Sequence, residues 1–154
     1  MRPKFNKIVC AVDASEHASP VLAAAVEMAE RHAAELVVVM VLESIQSFMH
    51  ARMEEYLHDD RREQLQREGR DRLEKRIREV LACAADGDSM EARIDFVEGR
   101  PATAILEFAA EERAAMVVLG SHGHSTLGEL LIGSTAREVT QRSRVPVLLV
   151  PMEA

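Results

Sequence analysis

The chain has no tryptophan, one tyrosine and four phenylalanines in 154 residues, which leaves few aromatic platforms on which nucleic-acid bases could stack. Its two cysteines, Cys10 and Cys83, have no metal-ligand spacing. Cys10 sits inside an apolar run, where a buried thiol behaves as a small hydrophobe, and both cysteines read as structural filler. Long hydrophobic runs are also missing. The longest uninterrupted apolar stretch in the first half, Leu36–Leu42, falls far short of the roughly 20 residues needed to span a bilayer, so no membrane partner is expected. The N-terminus, Met1-Arg-Pro-Lys-Phe-Asn-Lys7, lacks the apolar stretch and cleavage site of a signal peptide, and a cytoplasmic location is expected. Basic charge is in deficit: 19 lysines and arginines stand against 26 aspartates and glutamates, a net charge of -7. Binding to a phosphate backbone needs a basic face, so nucleic acid is excluded as the main partner.

What remains is ordinary globular composition, 47% apolar and 29% charged, in a length that fits one domain, residues 1–154, able to form a core without disulfides or metal. The charge is uneven. Residues 50–80 hold nine basic and nine acidic side chains, the pattern of a solvated helix laced with ion pairs.

Along the chain, Lys7-Ile-Val-Cys-Ala-Val-Asp13 is a nearly continuous apolar run ending in a carboxylate. Strands buried on both faces look like this, and they imply a parallel sheet covered by helices. Ser15 or Ser19 is placed to cap a helix over 18–33, with Pro20 suited to a first helical position. A second buried strand is Leu36–Leu42. Helical periodicity spans 47–84 through Met49, Met53, Leu57, Leu65, Leu73, Ile77, Val80 and Leu81. Tyr56–Arg62 interrupts its apolar face, so either a bent helix or two helices fit, and the Met49/Met53 pair reads as core packing. Asp86-Gly-Asp-Ser89 is a turn by composition. A strand near 91–97, a helix from Pro101 to Arg113, a strand Met116–Leu119, a glycine-rich loop, a helix near 134–143 and a last strand, Val145–Val150, complete the order. Strands alternating with helices predict βαβ units and one doubly wound parallel sheet, an α/β fold. No linker or internal repeat divides the chain.

The distinctive segment is Gly120-Ser-His-Gly-His-Ser-Thr-Leu-Gly-Glu-Leu-Leu-Ile-Gly-Ser-Thr135. It begins where an apolar strand ends and stops where a helix begins, the position where doubly wound sheets bind ligands. Gly133-Ser134-Thr135 would present free amides and hydroxyls at a helix N-terminus, suited to phosphate. A plain turn with a serine N-cap accounts for the same residues, and the chemistry alone leaves both readings open. Neither a Gly-x-x-x-x-Gly-Lys-Ser/Thr loop nor a Gly-x-Gly-x-x-Gly loop after the first strand is present.

The spacing Gly120-x2-Gly123-x9-Gly133-Ser134 resembles the Gly-x2-Gly-x9-Gly-Ser/Thr motif of ATP-binding universal stress proteins. The likeness extends over nearly the whole chain through Val12-Asp13-Ala14-Ser15, Gly99-Arg-Pro101 with Ile105, and Arg144-Val-Pro-Val-Leu-Leu-Val150. The resemblance implies a five-stranded sheet of order 3-2-1-4-5 with helices on both faces. It also implies ATP as ligand. Asp13 and Val41 would hold the adenine, largely by main-chain groups, and Gly120 would lie near the ribose. Gly123, Gly133, Ser134 and Thr135 would contact phosphates. A magnesium or manganese ion would be held mainly by those phosphates, since the sequence shows no metal cluster of its own. A homodimer through the last strand, Val145–Val150, is implied as well.

Several residues depart from that pattern. Ala14 stands where glycine is common, Ala115 where an aspartate often precedes the fourth strand, His124 for a frequent arginine, Thr126 for a frequent glycine and Thr135 for a frequent valine. His124 bears on affinity, because a neutral imidazole attracts phosphate less than a permanent cation. His17, His122 and His124 read as loop histidines, and no nucleophile-elbow sequence supports a triad of Ser121, His122 and Asp13.

Three functions compete at this stage: a nucleotide-dependent regulatory or stress-response module, a slow ATPase or phosphotransferase using the same crevice, and an interaction protein that uses no nucleotide. The intact glycine motif favours the first. No residue is assigned a catalytic role, because no base or cationic finger for phosphoryl transfer is evident; any ATP hydrolysis is expected to be slow.

Overall fold

Nine core positions in two unbroken runs, five on one strand and four on another, explain the architecture. Ile8, Val9, Cys10, Val37, Val38 and Val39 are inaccessible to solvent, and Ala11, Val12 and Leu36 nearly so. Successive strand residues face opposite sides of a sheet, so uninterrupted burial means that both faces are covered. The computed structural model describes residues 4–13, 18–42, 59–84, 90–121 and 132–151. Within them the order is β1 (Lys7–Val12), α1 (Ala18–His32), β2 (Glu35–Val41), α2 (Asp59–Ala84), β3 (Ala92–Val97), α3 (Pro101–Glu111), β4 (Met116–Gly120), α4 (Ser134–Arg142) and β5 (Val147–Val150). All adjacent strands pair in parallel, and the sheet order is β3-β2-β1-β4-β5, as the resemblance implied.

Two separate cores result. On one face Ile8, Cys10, Val12, Leu36, Val38 and Met40 pack with Val21, Leu22 and Val26 of α1 and with Ile77 and Leu81 of α2. On the other, Val9, Ala11, Val37 and Val39 pack with Ile105 and Phe108 of α3 and with Ala136 and Val139 of α4. The chain therefore builds outward from β1 to β3 under one pair of helices, then crosses back to β4 on the far side of β1 under the other pair. That reversal creates a topological switch between β1 and β4.

Some boundaries differ from the sequence reading. Only Asp59–Ala84 of the helix expected over 47–84 falls within described residues; Met49, Met53 and Leu57 lie outside them, as does Ser15. Helix α1 begins at Ala18, so Ser19 and Pro20 occupy its second and third positions instead of the cap and the first. Proline costs nothing there, because none of the first four helical amides has an intrahelical acceptor. The last strand starts at Val147, not Val145. Ser143 Oγ donates to the Val145 carbonyl at 2.8 Å and accepts the Val145 amide at 3.2 Å, which folds 143–145 into a turn, and Pro146 has no amide to offer the ladder.

The N-terminal ends of the strands are tied by charge. Lys7 Nζ lies 3.3 Å from carboxylate oxygens of both Glu35 and Glu112, and Arg93 pairs with Asp95 at 2.9 Å and with Glu112. Burial alone would push the Glu112 carboxyl up, but hydrogen bonds from Arg93 and Lys7 outweigh it and hold the group below the usual carboxylate range. Hydrogen bonds to Glu112 and Glu35 hold Lys7 above the ordinary lysine value. Burial pushes the Cys10 thiol up to about 12, which keeps it protonated and inert.

Candidate functional site

At the opposite end of the sheet, register gathers the predicted residues. Val12 pairs with Met40 on β2, so Asp13, one residue past β1, stands level with Val41, the last residue of β2. Ala11 pairs with Leu119 on β4, so Gly120, the last residue of β4, stands level with Val12. Asp13, Val41 and Gly120, separated by up to 107 positions in sequence, thus share the carboxyl ends of three neighbouring strands. All three are half-buried, as groups lining a crevice should be.

Ser121 fastens the glycine segment to this edge. Its amide donates to the Val150 carbonyl at 2.9 Å, which extends the β4–β5 ladder by one residue, and its carbonyl accepts the Gly133 amide at 2.7 Å. The two ends of the 122–132 stretch are therefore clamped together, and the start of α4 is held against the end of β4. Ser121 is only 9% exposed. Sequence alone offers Ser121 only as a nucleophile and does not reveal this positioning role. The available signal was its place directly after the strand, where a backbone group still belongs to the ladder.

The clamp decides where α4 begins. Gly133 is its N-cap, with φ -60° and ψ 157°, and among the described residues no side chain caps the helix. The Gly133 carbonyl accepts the Arg137 amide at 2.9 Å, which closes the first turn. Ser134 is thus the first helical residue and not the N-cap of the alternative reading. The amides of the first turn, those of Ser134 and Thr135 among them, have no intrahelical acceptors, and no acidic side chain occupies that turn. Ser134 is exposed and Thr135 half-buried. The arrangement presents convergent donors and the positive end of a helix dipole toward the crevice. Gly123, His17, His122 and His124 lie outside the described residues. Among the described residues no group of three or more histidine, cysteine, aspartate or glutamate side chains could hold a metal ion, and no helix is long and apolar enough to cross a membrane.

A doubly wound parallel sheet with an uncapped helix N-terminus at its switch point defines a class of α/β proteins that take ligands outside the strand ends. Within that class the profile of the Universal stress protein family matches residues 4–151, and the chain belongs to this family. It is 31% identical over 147 residues to the universal stress protein YxiE of Bacillus subtilis, covering 95% of this chain and 99% of that one. It is 33% identical over 146 residues to a universal stress protein of Thermus aquaticus, covering 95% and 98%. Among solved structures it is similar to universal stress protein UspA from Lactobacillus plantarum, with a TM-score of 0.73 at 20% identity, covering 96% of this chain and 98% of that one. It is also similar to the universal stress protein from Archaeoglobus fulgidus in complex with dAMP, with a TM-score of 0.62 at 21% identity and the same coverage.

Proposed function

We propose that the chain is one nucleotide-binding module whose crevice takes an adenine nucleotide, ATP first, and whose bound state regulates a stress response. The observation that carries this reading is the Gly133–Ser121 clamp, which holds an uncapped helix N-terminus against the carboxyl edge of the sheet. Asp13 and Val41 would receive the adenine and Gly120 the ribose; Gly123, Gly133, Ser134 and Thr135 would receive the phosphates, which would in turn carry magnesium or manganese. The dAMP complex of the Archaeoglobus fulgidus protein supports the ligand class. The direct test is mass analysis of nucleotide released by mild denaturation of the purified protein, followed by titration of the emptied protein with ATP. Absence of adenine nucleotide in the first and of binding in the second would sink the reading.

The same reading includes a cytoplasmic homodimer joined through the last strand. The two sheet edges differ in a way that supports it. On the β3 edge, Arg93 and Asp95 carry charge, Arg78 donates to the Ala92 carbonyl at 3.4 Å, and Arg70 lies 6.0 Å from the Phe96 ring centroid. Charges of this kind discourage strand addition. The β5 edge is Val-Leu-Leu-Val, half-buried, with no charged side chain. Light scattering should report a dimer or larger assembly, and Leu148→Lys should shift it toward monomer. A clean monomer at tens of micromolar (order of magnitude for a specific interface) would remove the dimer.

A further inference from the structure

The phosphate end of the proposed crevice has a charge problem. No lysine or arginine occurs between Gly120 and Ser134, and the chain as a whole is acidic. Backbone amides and a helix dipole equivalent to roughly half a charge are adequate for a monophosphate but leave most of a triphosphate's charge unmatched. Beside a metal ion carried by the phosphates, any protein cation for the longer phosphate chain comes from outside this loop.

The arginines around α4 are not equally available. Glu138 takes two of them, with Oε1 2.7 Å from Arg142 Nη1 and Oε2 3.6 Å from Arg100 Nη2. Arg142 Nη1 also donates to Thr103 Oγ1 at 3.2 Å. Arg144 lies beyond the far end of α4, away from the crevice. Arg137 is left: it is exposed and forms no ion pair among the described residues. It sits one turn after Gly133, whose carbonyl accepts the Arg137 amide. A helical side chain leans back over the turn N-terminal to its own Cα, which for Arg137 is the turn of Gly133 and Ser134.

We propose that Arg137 selects for the longer phosphate chain, binding the outer phosphates of a nucleoside triphosphate and contributing little to a monophosphate. This rests on the reading that the crevice holds an adenine nucleotide. The first-turn amides take the inner phosphate, and the guanidinium, a permanent cation with a planar fork of donors, meets the charge that extends past them.

The test is calorimetric titration of the full-length protein with ATP, ADP and AMP in magnesium, for wild type, Arg137→Gln and Arg137→Lys. Glutamine retains helix propensity, so folding is not at stake on an exposed face. Arg137→Gln should weaken ATP about tenfold, the size of one partly solvated charge pair, and AMP less than twofold; Arg137→Lys should recover most of the difference. Equal weakening of ATP and AMP, or no weakening of either, would overturn the role of Arg137 while leaving nucleotide binding intact. Failure of wild type to bind any of the three would overturn both.

Discussion

Replacing Gly133 with aspartate separates what this residue does for the fold from what the site needs, because the two effects have opposite signs. The N-cap geometry of Gly133, φ -60° and ψ 157°, is extended backbone that any L-residue adopts, so an added side chain meets no conformational penalty. Aspartate is among the preferred N-cap residues and exceeds glycine by a few tenths of a kcal/mol. Its charge also complements the helix dipole, worth about 0.3–1 kcal/mol. Gly133→Asp should therefore raise stability by about 0.5–1 kcal/mol, or about 1–4 °C in melting temperature for a chain of this size. Binding should move the other way. The new carboxylate accepts a first-turn amide that a phosphate would otherwise use, and a hydrogen bond to a charged group is worth about 1.5–3 kcal/mol. It also places like charges roughly 5 Å apart, about 3 kcal/mol at an effective dielectric near 20. Together these predict a loss of ATP affinity of about 10³-fold or more.

Gly133→Asn provides the control, since asparagine caps as well as aspartate without the charge. The asparagine variant should melt slightly below the aspartate variant, lacking its charge–dipole contribution of about 0.3–1 kcal/mol, yet bind ATP about 100-fold more tightly, and that gap should shrink as salt screens the repulsion. Differential scanning fluorimetry and ATP titration on all three proteins at two salt concentrations read both quantities. If Gly133→Asp binds ATP as well as wild type, the α4 N-terminus is not the phosphate site. If the aspartate and asparagine variants lose affinity equally, the electrostatic reasoning is wrong even though the location is right.

Ser134→Ala should weaken ATP about 10- to 150-fold through loss of one charge-assisted hydrogen bond, with melting unchanged, because Ser134 is the first helical residue and not the cap; a lower melting temperature with normal ATP affinity would refute this. Glu112, held below the usual carboxylate range, contributes stability that is present above its unfolded value of about 4.3 and is lost as pH falls through its lower folded value. Lys7, raised in the fold, contributes stability present below its unfolded value of about 10.4 and lost as pH rises through the folded one. Glu112→Gln should therefore flatten both the acid and the alkaline limbs of a melting profile, and unchanged limbs would mean that the ion pairs add nothing. Ala33 and Arg113 follow the ends of α1 and α3 with φ of 50° and 53°, a left-handed conformation costing about 1–2 kcal/mol for an L-residue. Glycine gives back part of that gain in the unfolded chain, so Ala33→Gly and Arg113→Gly should each stabilise by about 0.5–1 kcal/mol in urea titrations, and a loss in either would show the strain to be relieved locally.

Legibility in the sequence followed the length scale of the interaction. Continuous apolar runs identified β1, β2 and β4 because burial on both faces removes the polar alternation that would otherwise mask a strand. The Pro101 start of α3 was legible for a local reason as well, since proline suits a first helical position. The start of β5 was not, because Val145 continues the apolar pattern and only the Ser143–Val145 hydrogen bonds exclude it from the strand. The cap of α4 misled in a similar way: local preference points to Ser134, but the Gly133 amide is committed to Ser121 and its carbonyl to Arg137, so tertiary geometry moved the boundary. The ion cluster of Lys7, Glu35, Arg93 and Glu112 joins four elements, with one pair 105 residues apart. Strand register decides who meets there, and register is invisible in a single strand's composition. Strand order came from the family motif, not from periodicity.

The two ends of the sheet have opposite polar economies, and that contrast links the fold to the site. At the amino ends the charges of Lys7, Glu35, Arg93, Asp95 and Glu112 pair with one another, so this end is electrostatically closed and serves to hold three strands and α3 in register. At the carboxyl ends the Ser121 clamp pairs backbone groups that dock β4, β5 and α4. Among the described residues the first-turn donors of α4 receive no side-chain cap, although a cap residue at position 133 would stabilise the helix. Unpaired donors at a fixed position lower stability slightly and raise affinity for whatever anion supplies the missing acceptors, because the protein need not break internal bonds to bind it. A helix end without a side-chain cap among the described residues, held in a pinned neighbourhood, has the energetics the proposed nucleotide site needs, and closing it should trade nucleotide affinity for stability.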